Sequence, residues 1–197
     1  LTNKEGLVKI YLQDVSSNKK RKIYKYHYKL EDNPDYSFPL FAWAPNNCLY
    51  IMEEYHDKVY LRPYFVDEKK FGERNILFIN KITDLNFSPN GKYIAISGVN
   101  NGQSDIYIYS LAARSLEQIT NDKADDYAPC FVNNEQIIFS SNRSNDTLGL
   151  DKNYNFNKFD LFLYNYALKE KTLSRLTHTQ FDSEYGTTLV DKDIVSF

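Results

Sequence analysis

The chain has 197 residues, 42% of them hydrophobic and 25% charged, with a formal net charge of −2. That balance excludes a disordered chain and leaves no basic excess for a nucleic-acid surface. No run approaches the ~18 apolar residues of a membrane-spanning helix, so direct membrane insertion by this segment is not expected.

With 17 Tyr and 13 Phe, the composition favours strands, because aromatic and β-branched side chains pack well on a pleated surface. The first runs, Val8-Lys9-Ile10-Tyr11-Leu12 and Lys22-Ile23-Tyr24-Lys25-Tyr26, read as two strands. Between them Lys19-Lys20-Arg21-Lys22 is a basic turn, read as solvated and suited to blunting an exposed edge. Leu49-Tyr50-Ile51-Met52, Lys58-Val59-Tyr60-Leu61 and Asn75-Ile76-Leu77-Phe78-Ile79 follow.

The next group is the clearest. Leu85-Asn86-Phe87 leads into the turn Ser88-Pro89-Asn90-Gly91, then Tyr93-Ile94-Ala95-Ile96-Ser97, Asp105-Ile106-Tyr107-Ile108-Tyr109 and Leu116-Glu117-Gln118-Ile119-Thr120. Pro fixes its own φ, while Asn and Gly tolerate φ > 0. Ile137-Ile138-Phe139-Ser140, Asp160-Leu161-Phe162-Leu163-Tyr164 and Leu173-Ser174-Arg175-Leu176-Thr177 repeat the series, and Ile194-Val195-Ser196-Phe197 begins it again. Leu49, Tyr93 and Ile137 open equivalent strands 44 residues apart, and Ile194 follows 57 residues later.

The unit is therefore four short strands in about 44 residues, the size of one β-propeller blade. A sheet this small is apolar on both faces and must be covered by neighbours. The fold class read from the sequence is all-β, a partial arc of four-stranded antiparallel blades. The blades fall at about 6–30 (its last two strands only), 37–80, 83–120, 126–178 with an insertion at 142–158, and 184–197 (partial). Within a blade the Phe87-type strand is expected nearest the channel. The chain starts without Met and stops inside a strand-like run. Both ends are expected to be cuts in a longer protein, whose remaining blades, or a partner, would cover the open edges.

These residues resemble the TolB-like, or WD40-like, propeller repeat. The typical pattern is Trp/Phe-Ser-Pro-Asp-Gly-Lys, an apolar strand, Asp-Ile-Tyr and a closing Leu-Thr. It is matched by Phe87–Ala95, Ser104–Tyr107 and Gln118–Thr120, then by Phe139–Arg143, Phe159–Phe162 and Arg175–Thr177. The likeness is strong over residues 83–178 and weaker before that. Asn90 stands where the pattern has Asp, Phe131-Val132-Asn133-Asn134 loses the turn, and Val59-Tyr60 lacks the preceding Asp. The resemblance implies a segment of a larger bacterial envelope protein, of the kind found in Bacteroidota, or the gating propeller of a serine peptidase.

No Gly-x-Ser-x-Gly elbow, His-Glu-x-x-His or Cys-x-x-Cys spacing occurs, and His27, His56 and His178 are scattered. No catalytic residue, cofactor or metal is expected in this segment. Cys48 and Cys130 are expected to be buried free thiols. Asp125-Asp126, before an inner strand, is read as lining the channel mouth or capping backbone donors.

The insertion Asn142–Lys158 is the most individual feature, and long loops on a rigid scaffold often carry function. Asn153, Tyr154, Asn155 and Phe156 within it are the candidate partner-binding residues. Asp151, Asn153, Asn155 and Asn157 alternate like the start of a calcium loop. Phe156 stands where an EF-hand needs Gly, and Phe162 where it needs the bidentate Glu, so a turn-rich loop is preferred. Asp146-Thr147-Leu148 resembles the O-glycosylation acceptor of Bacteroidota envelope proteins, which marks Thr147 as a modification candidate. Asn142-Arg143-Ser144 and Asn145-Asp146-Thr147 fit the N-glycosylation rule.

The function expected is a non-catalytic scaffold binding a protein partner in the cell envelope, or the rest of its own chain. It would be periplasmic, outer-membrane-associated or at the cell surface. The alternatives are a substrate-gating propeller of a prolyl-oligopeptidase-like or tricorn-like peptidase, and a glycan- or peptidoglycan-binding propeller.

Overall fold

The computed structural model describes residues 2–4, 7–27, 39–55, 58–144, 146, 158–166, 171–178, 188–191 and 194–196. The chain divides into two compact units, Leu1–Pro39 and Leu40–Phe197.

The first unit is an antiparallel sheet of β1 (Thr2–Lys4), β2 (Leu7–Gln13) and β3 (Lys20–His27), in that order. Two strands were expected here, and β1 is a third. Its residues, Thr-Asn-Lys, carry no apolar alternation, and it is a strand only because β2 offers it a ladder edge. The β2–β3 turn is tied by Asp14, whose carboxylate accepts from Ser17 N–H at 2.6 Å and Ser16 Oγ at 2.7 Å. Those bonds, the Ser17 N–H first, hold the Asp14 carboxyl at about 2. Asn18 leaves the turn at φ 55°.

The second unit opens with β4 (Leu40–Ala44), β5 (Cys48–Tyr55), β6 (Lys58–Phe65), β7 (Lys70–Phe71) and β8 (Asn75–Leu77). The outer strand expected at 75–79 is β8, and a further short piece, β7, precedes it. Pieces β7 and β8 both pair with β6, at Tyr64–Phe65 and Val59–Leu61. Between them lies Pro63, which has no N–H to give a ladder and only accepts, from Gly72 N–H at 2.9 Å.

The next sheet is β9 (Lys81–Phe87), β10 (Tyr93–Asn100), β11 (Gln103–Ser110) and β12 (Ser115–Gln118), in chain order across the sheet. Then come β13 (Asp126–Phe131), β14 (Gln136–Ser141), β15 (Asp160–Asn165) and β16 (Thr172–Arg175), again in chain order, and the pair β17 (Thr188–Asp191) and β18 (Ile194–Ser196). Every pairing is antiparallel. The central strands are covered on both faces, which is why Ile94-Ala95-Ile96 reads as a continuous apolar run rather than an alternating one.

First strands pack in series: β4 against β9, β9 against β13, and β13 against β17. The core between two neighbouring sheets holds Ala95, Ile106, Phe131, Ile137, Phe139 and Phe162. Two asparagines stitch these sheets at about one repeat's spacing. Asn86 Oδ1 accepts from Phe131 N–H at 2.9 Å, and Asn134 Oδ1 from Asn90 N–H at 2.9 Å.

The Ser-Pro-Asn-Gly turn shows why those residues are needed. Ser88 Oγ accepts from Tyr93 N–H at 2.9 Å and donates to Asn90 Oδ1 at 2.8 Å, while Lys92 N–H donates to the same oxygen at 2.9 Å. Gly91 takes φ 66°, a conformation in which a side chain would be strained. Both cysteines are free and buried, and burial pushes the Cys48 thiol up to about 11.

Candidate interaction site

The insertion leaves β14 and returns to β15, and these strands stay in register to their ends, where Ser141 pairs with Asp160. Its two feet therefore stand side by side. What holds them is a pair of charge clusters, the first buried and the second half-buried.

The first foot is built on Arg143. Its guanidinium is 0% exposed, as is the Asp126 carboxylate, and Asp122 is at 1%. Nη2 donates to both Asp126 oxygens at 2.9 and 2.7 Å, Nη1 to Asp122 Oδ2 at 3.1 Å, and Nε to Ser141 Oγ at 2.8 Å. The guanidinium also lies 5.7 Å from the ring centres of both Phe139 and Phe162. A bidentate pair plus two further acceptors is the geometry that lets an Arg be buried at all. Next to it, Asn142 Oδ1 accepts from Asp125 N–H at 2.8 Å. The second foot is Lys158 and Phe159. Lys158 Nζ is 3.6 Å from Asp160, and Phe159 packs on Tyr127 at 5.7 Å between ring centres.

Asp160 belongs to a device that the repeat carries twice. It pairs with Arg175 and accepts from Thr177 Oγ1, whose oxygen also accepts from Leu161 N–H at 2.9 Å. One repeat earlier, Asp105 accepts from Gln118 Nε2 at 3.0 Å and Thr120 Oγ1 at 3.3 Å, and Ile106 N–H donates to Thr120 Oγ1 at 2.9 Å. The Asp that opens the third strand and the Thr that closes the fourth are thus a clasp across the sheet edge. In the 40–77 sheet the register puts Lys58 and Phe78 in these places, and Phe78 is 79% exposed.

Ser104 Oγ donates to the Asp126 carbonyl at 2.9 Å, which sets the Asp105–Thr120 clasp beside the Asp126–Arg143 pair. Arg143 takes two carboxylates, and a third, Asp105, lies near them. Burial, then the Asp126 carboxylate, with a smaller push from Asp122, raises Asp105 to about 7. Burial likewise raises Asp126, opposed by Arg143.

The sign of the linkage follows. Between the ordinary value of 3.8 and about 7, Asp105 holds its proton in the folded chain and has lost it in the unfolded one. Stability therefore falls as pH climbs through that window and levels above it. Thermal unfolding midpoints should drop between pH 5 and pH 8, and Asp105→Asn should flatten most of that drop. An unaltered slope in the variant would show that another group is responsible.

This arrangement is a neutralising clamp. Its carboxylates are turned onto Arg143, Thr120 and Gln118. Among the described residues no group of three or more His, Cys, Asp or Glu could hold a metal ion. Asp126, expected to line the channel mouth or cap backbone donors there, has its carboxylate on Arg143. Asn142 is 1% exposed with its amide oxygen engaged, so the first N-glycosylation triplet is closed in the folded chain. His178 is exposed. The insertion residues Thr147, Asn153, Tyr154, Asn155 and Phe156, with the calcium-like series 151–157, lie outside the described residues, as do His56 and the side chain of His27. Sequence reasoning missed Arg143. The available signal was an Arg two residues beyond an apolar strand, with Asp122 and Asp126 just ahead of the strand that pairs with it.

No family model matches the chain, and no curated protein does. Solved structures do. TolB from Acinetobacter baumannii aligns with TM-score 0.58 at 13% identity, over 89% of this chain and 39% of its own. An uncharacterised protein from Listeria monocytogenes aligns with TM-score 0.58 at 10% identity, over 95% and 51%.

The fold is a TolB-like β-propeller segment.

The tricorn protease shares it at TM-score 0.52 and 18% identity, over 82% of this chain and 17% of that one. The chain spans about two fifths to one half of the first two of these structures. In the TolB-like frame β4, β9, β13 and β17 are the strands that follow one another around the axis. The described residues contain no helix long and apolar enough to cross a membrane.

Proposed function

We propose that this chain is a non-catalytic propeller scaffold that presents the 142–158 insertion to a protein partner, within a larger envelope-associated or secreted bacterial protein. The observation that carries this reading is the root of the insertion. The first foot is locked by buried ion pairs and the second by a half-buried one beside the Phe159–Tyr127 contact, so whatever the loop displays is displayed from a rigid base, which lowers the ordering cost of binding. Asn153, Tyr154, Asn155 and Phe156 are the proposed contacts, with the two aromatics as anchors inside a polar rim. A periplasmic or outer-membrane location goes with this reading, as does Thr147 as a modified residue.

Deleting residues 144–156 should abolish capture of the partner from envelope extracts while the melting transition stays within a few degrees. Undiminished capture by the deletion variant would remove the loop from the interface. A second reading, a gating propeller attached to a peptidase, is supported by the shared fold of the tricorn protease. Sequence following Phe197 separates the two: a Gly-x-Ser-x-Gly elbow with later Asp and His favours the peptidase.

A further inference from the structure

The first sheet is two-faced in charge. Residues in direct register across an antiparallel pair share a face. On one side this gives Lys9 with Lys25, Tyr11 with Lys22, and Gln13 with Lys20. The register shifts between Ile10 and Tyr11, leaving Ile23 as the extra residue of β3. That shift is what brings Lys22 and Lys25, an odd number apart, onto one face. Ile10, Leu12 and Tyr24 lie on the other, with Arg21 as its one basic residue among those paired with described side chains. Lys20, Lys22 and Lys25 are exposed.

The surrounding stretch of sequence is basic. Residues 1–39 hold eight basic and five acidic side chains, against 16 and 21 in the remainder. Strand β3 is also the last strand of its sheet among the described residues, so its outer ladder groups face no described strand.

We propose that the outer edge of β3 is a docking strand for an extended acidic peptide, one with Asp or Glu at every second position. An added strand would lie about 4.8 Å away and repeat every two residues at about 6.7 Å, the spacing of Lys20 and Lys22. Its alternate carboxylates then stand cross-strand from the lysines, while its backbone completes the ladder. The lysines serve both ends: they reject apolar or basic strands, as edge lysines do, and admit an acidic one. Nucleic acid fits less well. Base stacking needs a bare ring, and the ring placed on this face among the described side chains, Tyr11, has the Lys20 ammonium 4.5 Å from its centre. The proposal is independent of the insertion.

The test uses the intact chain and a synthetic eight-residue peptide alternating Glu and Val, followed by fluorescence anisotropy and backbone amide shifts at low salt. Comparison ligands are a same-composition peptide with Glu and Val in separate blocks, an N-methylated alternating peptide, heparin and a single-stranded oligonucleotide. The alternating peptide should bind, shift the β3 amides, and weaken at least tenfold with either Lys22→Glu or Lys20→Glu. The N-methylated peptide should fail. Equal binding of the block peptide, heparin or the oligonucleotide would make this a general polyanion patch and overturn strand docking. So would unchanged affinity in both lysine variants, or no binding by the alternating peptide.

Discussion

Arg143→Leu is expected to lower the stability of the folded chain by about 3–5 kcal/mol, among the largest losses available to a single substitution here. The reason is what the change leaves behind. Asp126 and Asp122 would remain in a site closed to water, with no guanidinium and a third carboxyl, Asp105, close by. Urea denaturation measures the loss. Adding Asp122→Asn and Asp126→Asn to the variant should restore part of it, because the orphaned charges go with the cation. A loss below about 1 kcal/mol, the range of exposed pairs, would mean that water reaches the cluster.

Phe162→Ala is expected to lose about 3–5 kcal/mol, through vanished transfer energy and the cavity left in the core. Phe162 is fully buried, stacked on Phe139 with ring centres 6.4 Å apart, and lies 5.7 Å below Arg143 and 5.9 Å below Arg175. Removing it takes the aromatic floor from both clusters at once. The Arg143→Leu and Phe162→Ala losses should therefore not add, since the two groups touch. Strict additivity in a double-mutant cycle would show that the arginine gains nothing from the ring. Phe162→Leu, which keeps much of the volume, should lose far less.

What could be read in advance depended on how local each cause was. The repeat at Leu49, Tyr93 and Ile137 is a covalent pattern, so the strands and their order were open to inspection, as was the Ser88–Gly91 turn. Strand β1 was not, because Thr2-Asn3-Lys4 becomes a strand only through its neighbour. The break at Pro63 was visible as a residue, though not its effect, which is exerted on strands some ten residues further on. The Asp and Thr of the clasp were recognised as a motif without their partner. Arg143 lies 17 residues from Asp126 and 38 from Asp105; the β13–β14 pairing brings it to the first, and the stacking of adjacent sheets brings Asp105 near them. The lysine face of β3 was hidden for another reason: simple alternation puts Lys22 and Lys25 on opposite sides, and one extra residue reverses that.

The buried network has a consequence for inheritance. Repeat proteins grow by duplicating a unit that contacts only its neighbours through similar surfaces, so units can be lost, gained or exchanged. Here Asp105 and Thr120 come from one repeat, and Asp126 and Arg143 from the next. Each half is fitted to the other: Ser104 Oγ holds the Asp126 carbonyl at 2.9 Å, and the Asp105 carboxyl meets the Asp126 charge. A recombination break placed between the two sheets, where the strand pattern alone would allow it, would separate them. The segment that must travel together runs from Asp105 to Arg143, half of one sheet and half of the next. In this part of the chain the heritable module is the joint between blades.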